Sequence, residues 1–385
     1  MINNGHYQNR SGVIVIGGHV QGLGIVRIFG RNSIPAVLLD DTSINLTKHS
    51  KYCQQFIKYK KDKLLNKLLL LGEQKKYKNW LLMPTNDKVV GILGRNKNEL
   101  SKYFRVSTAD NEILQYFFNK RHTYKLAADL NIAIPTTWMP DSWLEMDKLD
   151  ITYPCIIKPA VMHTFYSQTK TKVFVCNNSI ELKENYDRAL SLIPEEEIII
   201  QDIIPGNSEH QYSVCFMFDG KKPLVTLSVR RARQHPPDFG NATTYAETVD
   251  IPEIVAYAER ILKEIDFVGV CEVEFKFDTR DNTYKFLEVN PRTWKWHSIA
   301  EKSDSPILMS LYHHIYNLEP IIKNNQENAT FRHLLTDIPT TIKMRLSKID
   351  YTKTKNNTKY AVWDLKDIEP AIFEILYLPY FILKR

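Results

Sequence analysis

Val13–Ile16 is an unbroken apolar run that meets Gly17 and Gly18, and an apolar-rich helical pattern follows through Ile28. The run predicts a short buried strand feeding a helix. A second apolar run at 36–39 ends in Asp40 and Asp41, and a third at 80–83 ends in Pro84-Thr85-Asn86-Asp87. Strands alternating with a helical pattern predict a parallel sheet over the first hundred or so residues. The pattern then turns helical from 110 to 131 and stops at 132–135. Next come a strand at 153–159, a helix opened by Asn178 with Glu181 three residues on, and a strand at 197–201. Asn followed by Glu at that spacing is a helix-start signature. Longer β segments follow at 212–218, 224–231, 268–277 and 284–289, flanked by helices at Pro252–Glu264 and 306–317. The chain therefore reads as an α/β N-terminal domain with a parallel sheet, followed by an α+β region. Beyond about position 324 it is polar, then aromatic and apolar, with no domain assigned.

Composition changes this picture little. The 385 residues are 43% hydrophobic and 25% charged, which suits a globular chain of two or three domains. The net charge of +7 is spread along the chain, with basic runs at 58–63 and 75–78. Such runs are usually solvated faces, and no zinc-finger spacing or RNA-binding aromatic motif accompanies them, so no nucleic-acid partner is expected. The excess suits an anionic substrate. Cys53, Cys155, Cys176, Cys215 and Cys271 form no C-x-x-C pair and read as reduced residues of a cytoplasmic protein. No signal-like start and no membrane-length apolar stretch is visible. His313 and His314 are adjacent, so they diverge on a helix and make a poor metal pair.

The glycines at 17, 18, 22 and 24 imitate a dinucleotide fingerprint, with Asp40 near the place of a ribose acid. Their spacing is not G-x-G-x-x-G, and a tight strand–helix turn is the expected role.

The strongest chemical signal is the pair of segments G-V-C-E-V-E-F-K-F (269–277) and Y-K-F-L-E-V-N-P-R (284–292). Alternation puts Glu272 and Glu274 on one face and Val273, Phe275 and Phe277 on the other. The turn-rich residues 278–283 let the second strand return antiparallel, which brings Glu288 and Asn290 near Glu274. Two carboxylates and an amide oxygen are a hard donor set of the kind that holds Mg²⁺.

This hairpin resembles the metal-binding hairpin of the ATP-grasp superfamily. The resemblance aligns Glu274, Glu288 and Asn290 with the metal ligands, with Glu272 as the alternative first acid, and Arg292 with an arginine near the reacting centre. Upstream, N-K-R-H-T-Y (119–124) and I-I-K-P (156–159) resemble the segments that bring two lysines, here Lys120 and Lys158, to the phosphates. The segment I-I-I-Q-D-I-I-P-G (198–206) resembles the adenine hinge, with Gln201 and the backbone of Ile203 as contacts. Glu209 or Gln211 stands where the ribose acid is found. The glycine-rich loop common over the phosphates is missing after Lys158, and His163, Thr164 or Ser167 are the side chains that could replace it. Arg230, Arg231 and Arg233 precede a Pro-Pro turn, and Arg231 and Arg233 would share a face if the strand continued. That arrangement resembles carboxylate–amine ligases of the D-aspartate ligase type.

The resemblance implies a Rossmann-like domain at 1–108, a small ATP-grasp subdomain with linker helices at 109–205, a catalytic subdomain at 206–325 and a C-terminal extension of unassigned role at 326–385. It implies ATP with Mg²⁺ or Mn²⁺, and a ligase joining a small carboxylate to an amine through an acyl phosphate. Arg230, Arg231 and Arg292 are the expected catalytic residues. A non-amine acceptor, a nucleotide-binding regulator without turnover and a homo-oligomer remain open alternatives.

Overall fold

The computed structural model describes residues 11–383 apart from 141, 144–148, 170, 236–241 and 350. Its N-terminal sheet has five parallel strands, ordered Cys53–Lys58, Ala36–Asp40, Val13–Ile16, Leu81–Pro84 and Arg105–Val106. The three inner strands are wholly buried, as the apolar runs require of a sheet covered on both faces. The two edge strands carry no such run. Cys53–Lys58 is half exposed, and the pair Arg105–Val106 is too short to show a period.

The glycine-rich turn serves packing. Gly17 has φ +111°, a conformation that favours glycine, and a Cβ on Gly24 would lie 2.7 Å from the His297 ring. Asp40 turns back into the same turn, where its carboxylate accepts the backbone N–H groups of Gly18 and of Thr42, the latter at 2.9 Å.

A four-stranded antiparallel sheet follows, ordered Thr137–Trp138, Ile198–Asp202, Cys155–Pro159 and Phe174–Cys176. The helical stretch expected over 110–131 is two helices, Asn111–Phe118 and Lys120–Asp129. Asn119 stands between them in extended conformation, and its side-chain oxygen accepts the Arg121 N–H at 3.0 Å. The break places Lys120 in the first turn of the second helix. Asn178 caps Ser179–Leu190 by accepting the Glu181 N–H at 2.9 Å.

The largest sheet has seven strands, ordered Thr283–Asn290, Val268–Asp278, Gln211–Asp219, Pro223–His235, Ala242–Thr248, Thr330–Arg332 and Thr358–Tyr360. All neighbours are antiparallel except the last pair. One face packs on helix Pro252–Glu264 through Val214, Phe216, Val273 and Phe275. The other shares a core with the N-terminal domain, in which Val13, Leu23 and Phe29 join Cys215, Leu227, Trp296, Phe331 and Ala371. The last sixty residues are thus built into the body of the protein. Among the described residues they supply two strands of this sheet and three buried acids, Asp337, Asp367 and Glu374.

Asp367 receives the Arg27 guanidinium at 2.8 Å, together with the Ser50 hydroxyl and the Lys51 N–H, and both charged side chains are fully buried. Asp337 receives Arg233 through both oxygens, at 2.8 and 2.9 Å, and also Arg332 and Thr244. Removing one partner of a buried pair strands the other charge, so Asp337→Ala should cost about 3–5 kcal/mol of stability. Denaturant unfolding measures it, and a loss below about 1 kcal/mol, the size of an exposed pair, would show that Asp337 does not hold the C-terminal segment.

Candidate active site between the acidic hairpin and the N-terminal domain

Strand alternation and register assemble the acidic cluster. Glu272 lies opposite Asn290 and Glu274 opposite Glu288, with a bulge immediately after, between Glu274 and Phe275. Val273 and Phe275 point into the core on the other side. The acids face a cavity of about 540 Å³ whose far wall is the N-terminal domain, including His19 and Gln21 at one helix start and Thr85 and Asn86 at another.

Each acid has a polar or cationic neighbour. Asn290 Nδ2 donates to Glu274 at 2.9 Å and to Glu272 at 3.2 Å. Ser213 donates to Glu272 at 2.9 Å. Burial, reinforced by the charge of Glu274, pushes the Glu272 carboxyl up to about 8. Glu288 accepts Lys120 at 2.6 Å, and the lysine charge holds its carboxyl well below the usual range. Burial works against the Lys120 ammonium, but Glu288 outweighs it and raises the lysine's pKa. Glu274 pairs with Arg231, which also donates to Thr243 at 2.9 Å.

Lys158 lies deeper, on strand Cys155–Pro159. Its ammonium donates to the Tyr124 hydroxyl at 2.6 Å and to Gln201 Oε1 at 2.7 Å, and burial lowers its pKa. Gln201 uses its other end on the Thr137 hydroxyl, at 2.8 Å. Gln201 therefore stands against Lys158, at the end of the strand that leads to half-buried Ile203. The hinge beyond is held by Lys276, which donates to the carbonyls of Ile204 and Gly206 at 2.7 and 2.9 Å.

Of the two ribose candidates, Gln211 lines the cavity, and its Oε1 is buried without a partner. Glu209 turns to the C-terminal segment and accepts the Thr352 N–H and hydroxyl. Arg292 lines the cavity, anchored by Asp87 at 2.6 and 3.0 Å and by Asn290 Oδ1 at 3.2 Å.

The arginine segment divides. Arg231 shares a face with Val229 and, across the register, with Ser213 and Glu274. Its neighbour Arg230 must point the other way. It lies opposite Tyr212 and pairs with Glu247, so the structure does not bring Arg230 to the cavity. The ladder slips between Arg230 and Arg233. An inserted residue reverses the alternation, and Arg233 emerges on the Arg230 side against Asp337, with its guanidinium 4.0 Å from the Tyr245 ring centre. Arg231 and Arg233, expected on one face, are thus separated. The side chains of His163, Thr164 and Ser167 lie outside the described residues.

Tyr124 and Lys276 escaped the sequence reading. Tyr124 sits one helical turn after Lys120, a spacing that puts both on one face and was available as a signal. No local pattern marks Lys276 as a hinge clamp.

Residues 139–310 match the model of the carbamoyl-phosphate synthase L chain, ATP binding domain. The solved N5-carboxyaminoimidazole synthetase of Staphylococcus aureus in complex with ADP aligns at TM-score 0.64 and 15% identity, covering 91% of each chain. Over residues 139–310 the chain is thus similar to an ATP-binding domain, and its fold is that of the ADP-bound synthetase. The biotin carboxylase domain of the Hydrogenobacter thermophilus 2-oxoglutarate carboxylase, solved with MgADP and bicarbonate, also aligns at TM-score 0.64, with 12% identity over 84% of this chain and 74% of that one. By sequence the chain is 25% identical over 237 residues to the D-aspartate ligase of Enterococcus faecium. That match spans 56% of this chain and about half, 54%, of the relative.

Among the described residues no three His, Cys, Asp or Glu side chains form a closed metal site. Mg²⁺ does not require one, because it keeps waters and takes one or two carboxylates plus substrate phosphates. The facing carboxylates of Glu274 and Glu288 fit that description, while Asn290 Oδ1 accepts Arg292.

The hydrogen-bond partners described for buried Lys158 are the neutral groups of Tyr124 and Gln201. Lys158→Ala should weaken ATP binding by about 1.5–3 kcal/mol, the scale of a charged hydrogen bond. Calorimetry giving wild-type affinity in a folded variant would take Lys158 out of the nucleotide site.

Proposed function

We propose that the protein is an ATP-dependent ligase that activates a small carboxylate as an acyl phosphate and joins it to an amine, releasing ADP and phosphate. The observation that carries this reading is the cavity itself. The register-opposed carboxylates Glu274 and Glu288 line it together with Arg231 and Arg292, between the hairpin and the N-terminal domain, and Lys120 stands behind it on Glu288.

A carboxylate cannot expel oxide, so it must first acquire a leaving group. Its oxygen attacks the γ-phosphorus while the bond from that phosphorus to ADP breaks. The amine nitrogen then attacks the acyl carbon, phosphate departs, and the amine proton passes to solvent. Such catalysis is mostly positioning and charge neutralisation. Glu274, Glu288 and Asn290 would hold Mg²⁺ or Mn²⁺, which when bound neutralises phosphate charge. Lys120 and Lys158 bind phosphate oxygens as mobile point charges. Gln211 faces the ribose and the Ile203 backbone faces adenine, while Gln201 orients Lys158. Arg231 is braced by Thr243 and Arg292 by Asp87, so both are preorganised for charge that develops during transfer. The 25% identity to a D-aspartate ligase supports an amine acceptor.

The deciding experiment follows ADP release over a panel of carboxylates and amines. Release that requires both substrates is the expected result. ATP binding without turnover over the whole panel would favour a nucleotide-binding regulator, and turnover with bicarbonate and no amine would favour a carboxylating acceptor.

The division of the arginines gives a sharper test. Arg231→Gln should lower kcat by about a hundredfold or more, the usual loss when one preorganised donor is removed. Arg230→Gln, on the opposite face, should change kcat by no more than about twofold, within the small effect of a site remote from the chemistry. Equal losses in both variants would contradict the assignment of faces.

A further inference from the structure

Helix Leu334–Leu346 is inside out. Its buried residues are Thr336, Asp337, Thr340 and Met344, mostly polar. Their polar groups are used within the protein, by Arg233 and Arg332 on Asp337, by His235 on the Thr340 hydroxyl at 3.1 Å, and by His333 on the Thr336 hydroxyl at 3.1 Å. The opposite face carries Ile338, Ile342 and Leu346 at every fourth position, and these are 47, 52 and 80% exposed. Ile349, just past the helix, is 38% exposed. A helix on a water-facing surface normally shows the reverse arrangement. Several aliphatic side chains in one solvent-facing row mark an interaction surface.

Charge identifies the partner. Between 338 and 355 stand five basic residues, Lys343, Arg345, Lys348, Lys353 and Lys355, and one acid, Asp350. All five are exposed, and Lys343, Arg345 and Lys348 stand on or just past the helix that carries the stripe. A second copy docked through this helix by two-fold symmetry would set the same patch against itself and oppose these like charges. The stripe is a convex aliphatic ridge with basic flanks, the form that lies in the interface of an anionic membrane. We propose that this helix docks the protein on an anionic lipid surface, with Ile338, Ile342 and Leu346 in the acyl boundary and Lys343 and Lys348 at the headgroups. Among the described residues no helix is long and apolar enough to cross a membrane, so the contact is peripheral.

The test is flotation of the full chain with phosphatidylcholine vesicles, with and without phosphatidylglycerol, at low and high salt. Binding should require the anionic lipid and weaken with salt. The double variant Ile342→Ser/Leu346→Ser should bind at least about tenfold more weakly, since two aliphatic side chains no longer leave water. Both positions are exposed, so its thermal melt should match the wild type. Lys343→Gln and Lys348→Gln should each weaken binding about fivefold, equivalent to about 1 kcal/mol per lysine near the surface. Absence of vesicle binding, or binding unchanged in the serine variant, would overturn the proposal. So would wild-type self-association that the serine variant abolishes, because the stripe would then be a contact between copies.

Discussion

Placing like charges together in a half-dry cleft is unfavourable, and the hairpin does so with Glu272, Glu274 and Glu288. The arrangement persists because cations from other parts of the chain meet it. Lys120 arrives at the start of a helix, and Arg231 arrives from the second strand across the sheet. Glu272, which has no cation among its hydrogen-bond partners, is instead pushed towards its neutral form. Because the acids and cations come from distant segments, the site exists only when both the small and the large sheet are in place.

The supports behind these groups are equally dispersed. Lys158 is fixed by Tyr124 and Gln201, and Arg292 by Asp87 of the N-terminal domain. The N-terminal domain and the seven-stranded sheet share a core, which places the cavity wall beginning at His19 and Gln21 against the hairpin. The C-terminal segment locks the far side, through Asp367 on Arg27 and Asp337 on Arg233. The same Asp337 pairing draws a polar helix face inward and turns the aliphatic face of that helix to the outside. One buried charge thereby shapes both the edge of the large sheet and the outer surface.

The sequence by itself determined whatever depends on local periodicity. Apolar runs marked the three inner strands of the first sheet, because a strand buried on both faces cannot carry polar residues. Alternation in 269–277 and the return through 284–292 were enough to put Glu272, Glu274, Glu288 and Asn290 together, since strand period and an antiparallel turn fix both face and approximate register. Lys158 stood out because a lysine between Ile157 and Pro159 is an odd core residue, whereas Lys120 was marked only by the resemblance of its segment, since lysines on surface helices are common. The tertiary structure decided what depends on a second strand or a distant partner. Neighbouring arginines look alike in a sequence, and only the pairing of Arg230 with Tyr212, followed by the bulge, separates Arg231 from the other two. Glu209 and Gln211 look equivalent in the sequence, and only the structure shows Glu209 turned to Thr352 and Gln211 on the cavity. The last sixty residues showed no period that revealed their place, because their strands are three residues long and helix Leu334–Leu346 takes its inward face from ion pairs. Such pairs are formed with residues about a hundred positions away, and no local pattern encodes them.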